Sequence, residues 1–263
     1  MIISFSKFHG AGNDFVMIDN REGHIELTDA QIALICHRRF GVGADGLMFL
    51  NKSLDYDFEM KYYNSDGLEG TMCGNGGRCI AAYADFIGMK KDSFLFEAID
   101  GLHQANIINK TKSICEVSLQ MSDVNEVEVN TGSFFLDTGS PHHIQFVEDV
   151  EHMDVFTEGK TIRNNDYYGA KGGTNVNFAQ IEKDIIKVRT YERGVEDETL
   201  ACGTGVTAVA MAVAIKQNKL QGDYKLRARG GDLQVQFKRD GNKFTEVWLR
   251  GPAAFVFSGQ IEL

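Results

Sequence analysis

Proline is almost missing from this chain, with 2 in 263 residues against 28 glycines. The glycines are dispersed rather than gathered, which excludes a flexible linker and reads instead as many tight turns between short strands. Cysteine is sparse too. The five present, at 36, 73, 79, 115 and 202, are odd in number and lack zinc-type pairs, so neither a disulfide framework nor a cysteine-rich metal site is expected and the thiols should be free. Basic charge is in deficit, 27 Lys and Arg against 37 Asp and Glu for a net charge of −10, and no basic cluster is long enough to track a phosphate backbone. Nucleic acid is therefore not an expected partner. No apolar stretch nears about 18 residues without charge or glycine, and residues 1–7 lack a basic start leading into an apolar run. A membrane partner and a signal peptide are not expected, and the chain reads as cytoplasmic, with room for two domains of roughly 100 to 150 residues.

What the sequence does have is a succession of short, glycine-bounded strand signals: 2–8, 14–18, 47–50, 58–63, 94–98, 102–108 and 114–121. Helices are fewer. Thr28 opens one as a capping box with Gln31, Leu27 can staple onto Ile32, and Ile32, Ile35 and Cys36 share a face. Two further helical stretches, 79–87 and especially 206–215, are apolar nearly all round and must be enclosed, with Gly88 and Asn218 as their left-handed stops.

The second half repeats the first in outline. A strand, a polar residue, a cysteine and its apolar helix at 58–63, Asn64 and Cys73 recur at 185–191, Glu192 and Cys202, followed each time by strand, turn (Asp100-Gly101 or Gly230-Gly231) and strand. The offsets are 192 − 64 = 128 and 202 − 73 = 129. The segment 8–14 is echoed by 136–142. This predicts an α/β (α+β) fold of two pseudo-symmetric domains, each a curved, mostly antiparallel sheet or barrel around a central apolar helix. The expected boundaries are 1–117, completed by 252–263, and 118–251, with the active site in the cleft between them.

Both cysteines sit in glycine motifs, Cys73-Gly74-Asn75-Gly76-Gly77-Arg78 and Cys202-Gly203-Thr204-Gly205, that lead into the apolar helices. A helix N-terminus offers backbone N–H groups and positive potential, which binds anions and lowers a neighbouring thiol's pKa. Two thiols facing one carbon from opposite sides can invert a stereocentre: one, as thiolate, takes a proton while the other, as thiol, returns one to the opposite face. Two other readings remain open here: a proline or hydroxyproline-type racemase of the same architecture, and a non-catalytic redox sensor, which the absence of a Cys-x-x-Cys unit disfavours.

With His9-Gly10-Ala11-Gly12-Asn13-Asp14-Phe15, Gly41-Val42-Gly43-Ala44-Asp45-Gly46, Asn64-Ser65-Asp66-Gly67, Pro141-His142, Asn175, Glu192-Arg193-Gly194 and the two cysteine motifs, the chain closely resembles the diaminopimelate epimerase family over nearly its full length. The resemblance implies an isomerase that interconverts LL- and meso-2,6-diaminopimelate in lysine and peptidoglycan precursor synthesis, without pyridoxal phosphate, other cofactor or metal. It leaves a homodimer open. Cys73 and Cys202 would be the acid/base pair, and the backbone at Gly74-Asn75 and Gly203-Thr204 would bind the reacting carboxylate. His142 and Glu192 would contact the reacting amino group, and Asn13, Asn64, Asn175 and Arg193 would line the pocket, Arg193 forking onto the distal carboxylate. Ser140 departs from the asparagine, and Gly46 from the glutamine, that other members carry. His9, His143, Cys36, Cys79 and Cys115 are expected to be structural.

Overall fold

The structure, a computed structural model, describes residues 1–263, which divide into two compact units: Met1–Leu119 with Gly251–Leu263, and Gln120–Arg250. In the first, β1 (Ile2–Gly10) and β2 (Asn13–Asn20) form a hairpin whose turn residues, Ala11 and Gly12, take positive φ of 51° and 88°. α1 (Asp29–Cys36) then crosses over, so that β3 (Gly46–Asn51) lies parallel to β2. β4 (Phe58–Asn64) returns antiparallel to β3 and carries the short β5 (Glu69–Gly70). After α2 (Gly74–Phe86), β6 (Ser93–Ala98) runs parallel to β4. β7 (Gly101–Lys110) and β8 (Ile114–Gln120) follow antiparallel, and the end of the chain's last strand pairs with both β8 and β1. The sheet closes on itself as a barrel of β1, β2, β3, β4, β6, β7, β8 and that last segment, and so leaves no open edge among them.

The second unit follows the same plan. β9 (Val127–Asn130) pairs with β10 (Ser133–Asp137), which forms a hairpin with β11 (Pro141–Phe146). α3 (Val155–Arg163) and α4 (Asp166–Gly169) make the crossover to β12 (Asn175–Glu182), parallel to β11. β13 (Ile185–Glu192) is antiparallel to β12 and carries β14 (Asp197–Thr199). After α5 (Gly203–Lys216), β15 (Gln221–Ala228) lies parallel to β13, and β16 (Gly231–Asp240) and the first part of β17 (Lys243–Glu262) complete the meander. Hairpin, parallel crossover, antiparallel return, helix and parallel strand thus recur in order, the two pseudo-symmetric α/β domains expected from the repeat.

α2 and α5 are both enclosed, α5 with no polar side and α2 with Asn75, Arg78 and Asp85 buried along with its apolar residues. α2 is buried from Gly74 to Asp85 and packs on β1, β2, β3 and β7; α5 is buried except at Thr204, Ile215 and Lys216 and packs on β10–β13, β15 and β16. Gly88 (φ 99°) and Asn218 (φ 51°) follow them in the left-handed region, as expected of stop residues. The thirteen-residue α2 begins earlier than its apolar stretch suggests, because Gly74, Gly76 and Gly77 are helical rather than turn residues. Packing explains two of them: a Cβ on Gly76 would meet Met48 Cε at 2.5 Å, and one on Gly77 would meet Leu119 Cδ2 at 2.8 Å. α1 has the predicted Thr28–Gln31 capping box and buries Ile32, Ile35 and Cys36. α3 went unread for a similar reason: Gly159 interrupts its pattern, yet a Cβ there would lie 2.3 Å from Tyr191 Cβ.

Enclosure makes the interior of α5 intolerant of volume. Ala210 has no exposed surface, so Ala210→Leu should cost about 1–3 kcal/mol despite leucine's good helix propensity. A lowered urea midpoint at unchanged m-value is the expected result; an unchanged midpoint would show that this face of α5 is not closed over.

Candidate active site

In the first unit Cys73 is the N-cap of α2. Its backbone is extended, and its Sγ accepts a hydrogen bond from Gly76 N at 3.2 Å. The β1–β2 turn brings up Asn13, whose amide orientation is determined by its partner: Nδ2 donates to the Asp45 carboxylate at 2.7 Å, so Oδ1 is the atom turned towards Cys73 Sγ, 4.0 Å away. Asn75 is fixed by the same logic. Its Oδ1 accepts from Arg78 Nη2 at 2.9 Å, which leaves Nδ2 to donate to Asn13 Oδ1 at 3.4 Å. Arg78 is completely buried and also donates to Gly74 O at 2.9 Å, so it clamps the first turn of α2.

Behind Asn13 lies an ionic cluster. Arg38 bridges Asp45 at 2.6 Å and Asp14 at 2.8 Å, while the buried Lys7 pairs with Asp14 at 2.8 Å and donates to Gly43 O. Burial alone would raise the Asp14 carboxyl, but hydrogen bonds from Arg38 and Lys7, with their charges, hold it well below the usual carboxylate range. Asn64 stands at the exposed end of β4, where its backbone closes a turn with Gly67 and Leu68, and no hydrogen bond joins it to Cys73. Gly46 has a steric reason for departing from the family pattern: a Cβ there would lie 2.4 Å from Tyr62 Cε2.

The second unit places Cys202 in the matching position, as N-cap of α5, with its Sγ 3.3 Å from Thr204 Oγ1. Ser140 Oγ lies 3.4 Å from the same hydroxyl, 3.0 Å from His142 Nε2 and 3.1 Å from Asn175 Nδ2. His142 has no exposed surface, and its Nδ1 is 3.0 Å from Asn177 Nδ2. Burial, reinforced by the Arg193 charge, pushes its pKa down to about 3, so the ring is neutral. Expected to face an amino group, His142 instead spends both ring nitrogens inside this unit. Asn175 is likewise committed, since its Nδ2 also donates to Pro141 O at 3.0 Å and its Oδ1 accepts from Arg193 N at 2.8 Å. Glu192 Oε2 accepts from Thr199 Oγ1 at 2.9 Å, and the exposed Arg193 guanidinium makes no ion pair within the chain.

The remaining cysteines are poor thiolates. Burial pushes Cys36 up to about 12 and Cys115 up to about 11, and raises Cys79 further. His9 Nδ1 accepts from Gly12 N at 3.4 Å, within the β1–β2 turn, and the buried His143 bonds Tyr168 Oη at 2.9 Å. No three His, Cys, Asp or Glu side chains are gathered so as to hold a metal ion, and no helix is long and apolar enough to cross a membrane. Arg78, Asp45 and Asn177 were missed as contributors, and Ser140 was noted only as a departure; Asp45 and Arg78 stood inside motifs already singled out, whereas nothing local marked Asn177.

Solved structures of similar shape define the class. A PhzF-family phenazine biosynthesis protein from Bacillus anthracis aligns over 100% of both chains with a TM-score of 0.78 at 14% identity. A hydroxyproline epimerase from Agrobacterium vitis aligns over 100% of this chain and 93% of its own, with a TM-score of 0.72 at 14% identity. At such identities the likeness is one of fold: two duplicated barrels, each around its helix. Sequence is more specific. The diaminopimelate epimerase family model matches residues 5–129 and 134–256. Diaminopimelate epimerases from Flavobacterium psychrophilum and Chlorobaculum tepidum are 48% and 42% identical, over 97% of this chain and 98% and 99% of theirs. The chain belongs to the diaminopimelate epimerase family, and it is an isomerase, as its motifs led one to expect.

Two predictions follow from this geometry. A Cβ on Gly205 would lie 2.3 Å from Asn177 Oδ1, an atom pinned by Thr190 Oγ1 at 2.9 Å, whereas on Gly76 its one severe overlap is with the flexible end of Met48, with Cys73 Sγ next at 3.2 Å. Gly205→Ala should therefore destabilise by about 1–3 kcal/mol, while Gly76→Ala, with about 1 kcal/mol of helix propensity in its favour, should cost clearly less. Equal urea midpoints for the two would contradict this. The second concerns acid. A histidine buried neutral has a folded pKa below its unfolded one, so the unfolded state takes up the proton first and stability falls as pH drops below about 6.5. His143 is shifted in the same direction, also by burial. His142→Gln should thus lose less stability between pH 7 and pH 5 than the parent; identical losses would show that His142 titrates normally.

Proposed function

We propose that this chain epimerises 2,6-diaminopimelate, interconverting its LL and meso forms by passing the proton of one α-carbon between Cys73 and Cys202, without a cofactor. The observation that carries the reading is the equivalent placement of the two cysteines, each the N-cap of the enclosed helix of its own barrel, in a chain of this family. One sulfur, as thiolate, removes the α-proton; the other, as thiol, delivers a proton to the opposite face. An amino-acid α-proton is far less acidic than a thiol, so the larger task is to stabilise the carbanion-like transition state. Backbone N–H groups at Gly74-Asn75 and Gly203-Thr204 would receive the growing charge on the carboxylate, each such donor contributing about 3 kcal/mol in comparable sites.

The other residues take roles that follow from their surroundings. Asn13, Asn64 and Asn75 supply amide groups on the side of the first unit, and Glu192 takes the reacting amino group. Asn175 anchors the backbone of Arg193, whose exposed guanidinium, without an internal ion pair, suits a distal carboxylate. His142 acts from behind Ser140 rather than on substrate. The functional halves would be 1–117 with 252–263, and 118–251, the thiols serving one substrate between them, in the cytoplasm, on the route to lysine and peptidoglycan precursors. A proline-type racemase shares the fold, but a small cyclic substrate has no second carboxylate for Arg193.

Incubation with LL-diaminopimelate in heavy water, without pyridoxal phosphate or metal, should give meso product carrying one solvent deuterium at the inverted α-carbon. Proline racemisation in place of this would favour the second reading, and no exchange at all would sink both. Cys73→Ala and Cys202→Ala should each lower kcat by at least about a thousandfold in a folded protein, since each removes an obligatory acid or base. Arg193→Lys keeps charge but not the fork and should raise KM for diaminopimelate; unchanged kinetics would remove Arg193 from the site.

A further inference from the structure

The hydrogen bonds around Cys202 have a determined direction, and it starts well away from the sulfur. Asn177 Nδ2 donates to His143 O at 3.0 Å, and its Oδ1 accepts from Thr190 Oγ1 at 2.9 Å, so the amide cannot be turned the other way without facing oxygen to oxygen. Its Nδ2 therefore donates to His142 Nδ1, which must be the bare nitrogen of a neutral ring. The ring proton is left on Nε2 and donated to Ser140 Oγ at 3.0 Å. Asn175 is fixed in the same way, by donating to Pro141 O and accepting from Arg193 N, so its Nδ2 donates to Ser140 Oγ as well. With both lone pairs of Ser140 taken, its own proton is directed to Thr204 Oγ1, at 3.4 Å, and the Thr204 proton to Cys202 Sγ, at 3.3 Å.

We propose that Ser140 is a positioning residue for Cys202, passing the polarity set at Asn177 and Asn175 through Thr204, so that the sulfur of Cys202 receives a hydrogen bond and rests as thiolate. The surroundings of Cys73 differ: its sulfur accepts from the backbone Gly76 N at 3.2 Å. The atom facing its sulfur is Asn13 Oδ1, an acceptor, because Asp45 holds the Asn13 amide nitrogen. Cys73 thus has both a donor and an acceptor within reach, whereas the side-chain relay that ends on a sulfur belongs to Cys202. The charged and titratable groups beside the Cys202 chain are His142 on β11 and Glu192 and Arg193 at and just after the end of β13. Of these, His142 stays neutral, its pKa lowered by burial and by the Arg193 charge, and Glu192 accepts from Thr199 Oγ1.

The inference rests on the two-thiol reading, but its test needs no substrate. In a Cys73→Ala background of the full chain, the rate of iodoacetamide alkylation at Cys202 is followed across pH by peptide-resolved mass spectrometry. Adding Ser140→Ala should raise the midpoint by about one pH unit and slow alkylation at neutral pH about tenfold, the loss expected for one charge-assisted donor. Ser140→Thr, which keeps the hydroxyl, should restore the parent profile. An unmoved midpoint in Ser140→Ala overturns the proposal. So does a shift that Ser140→Thr fails to reverse, because that would reflect repacking rather than the hydroxyl. A shifted and restored midpoint, together with failure of the parent protein with both cysteines to exchange deuterium into diaminopimelate, would uphold the chain and reject the epimerase reading; exchange by the parent with an unmoved midpoint would do the reverse.

Discussion

A helix with no polar side is stable in water only when something surrounds it, and this constraint organises both halves of the chain. α5 has no polar side, and the polar residues of α2, Asn75, Arg78 and Asp85, are themselves buried, so in each unit the strands pack around one of the two helices. Closure brings the helix N-terminus up against the strands that line it. The residue immediately before each helix is a cysteine, and the β1–β2 turn in one unit and the β10–β11 turn in the other deliver polar side chains to it. Enclosure thus supplies at once the stability of the barrel, the low-dielectric setting of the thiol and the fixed direction of the helix dipole.

Duplication gives two thiols equivalent places but not equivalent neighbours. The difference lies in which way three amides point, and each is fixed by a partner that can do only one thing. Asp45 can only accept, so Asn13 presents its oxygen to Cys73; Arg78 can only donate, so Asn75 presents its nitrogen to Asn13. In the other unit Asn177, held between a carbonyl and a hydroxyl, fixes the tautomer of a buried histidine and through it the sense of a chain ending at Cys202. The two sulfurs therefore face different partners, Gly76 N and Asn13 Oδ1 at Cys73 and Thr204 Oγ1 at Cys202.

Much of this was legible in the sequence because it was written in local patterns. All seven strand signals of the first half are strands, the Thr28–Gln31 capping box forms, and the strand–cysteine–helix repeat translates into matching pairings in the two barrels. Failures came where packing rather than propensity decides. Gly74, Gly76 and Gly77 looked like a turn but are helical, and at Gly76 and Gly77 a side chain would strike Met48 and Leu119; Gly159 hid α3 because it sits against Tyr191. The buried histidine shows the other limit. Its position beside Pro141 was evident, but that both its nitrogens are engaged depends on Asn177 and Ser140, which come from a different strand and from a turn.

The central claim is that Cys73 and Cys202, one from each unit, serve a single carbon. Thiols that do so lie on opposite sides of that carbon, so without substrate a modest closure would let a mild oxidant link them. Peptide mapping of the protein after gentle oxidation tests this directly. The account predicts one bridge, Cys73 to Cys202, formed with loss of activity, prevented by diaminopimelate and reversed by a thiol reductant. Inactivation accompanied instead by a bridge through Cys36, Cys79 or Cys115 would contradict it.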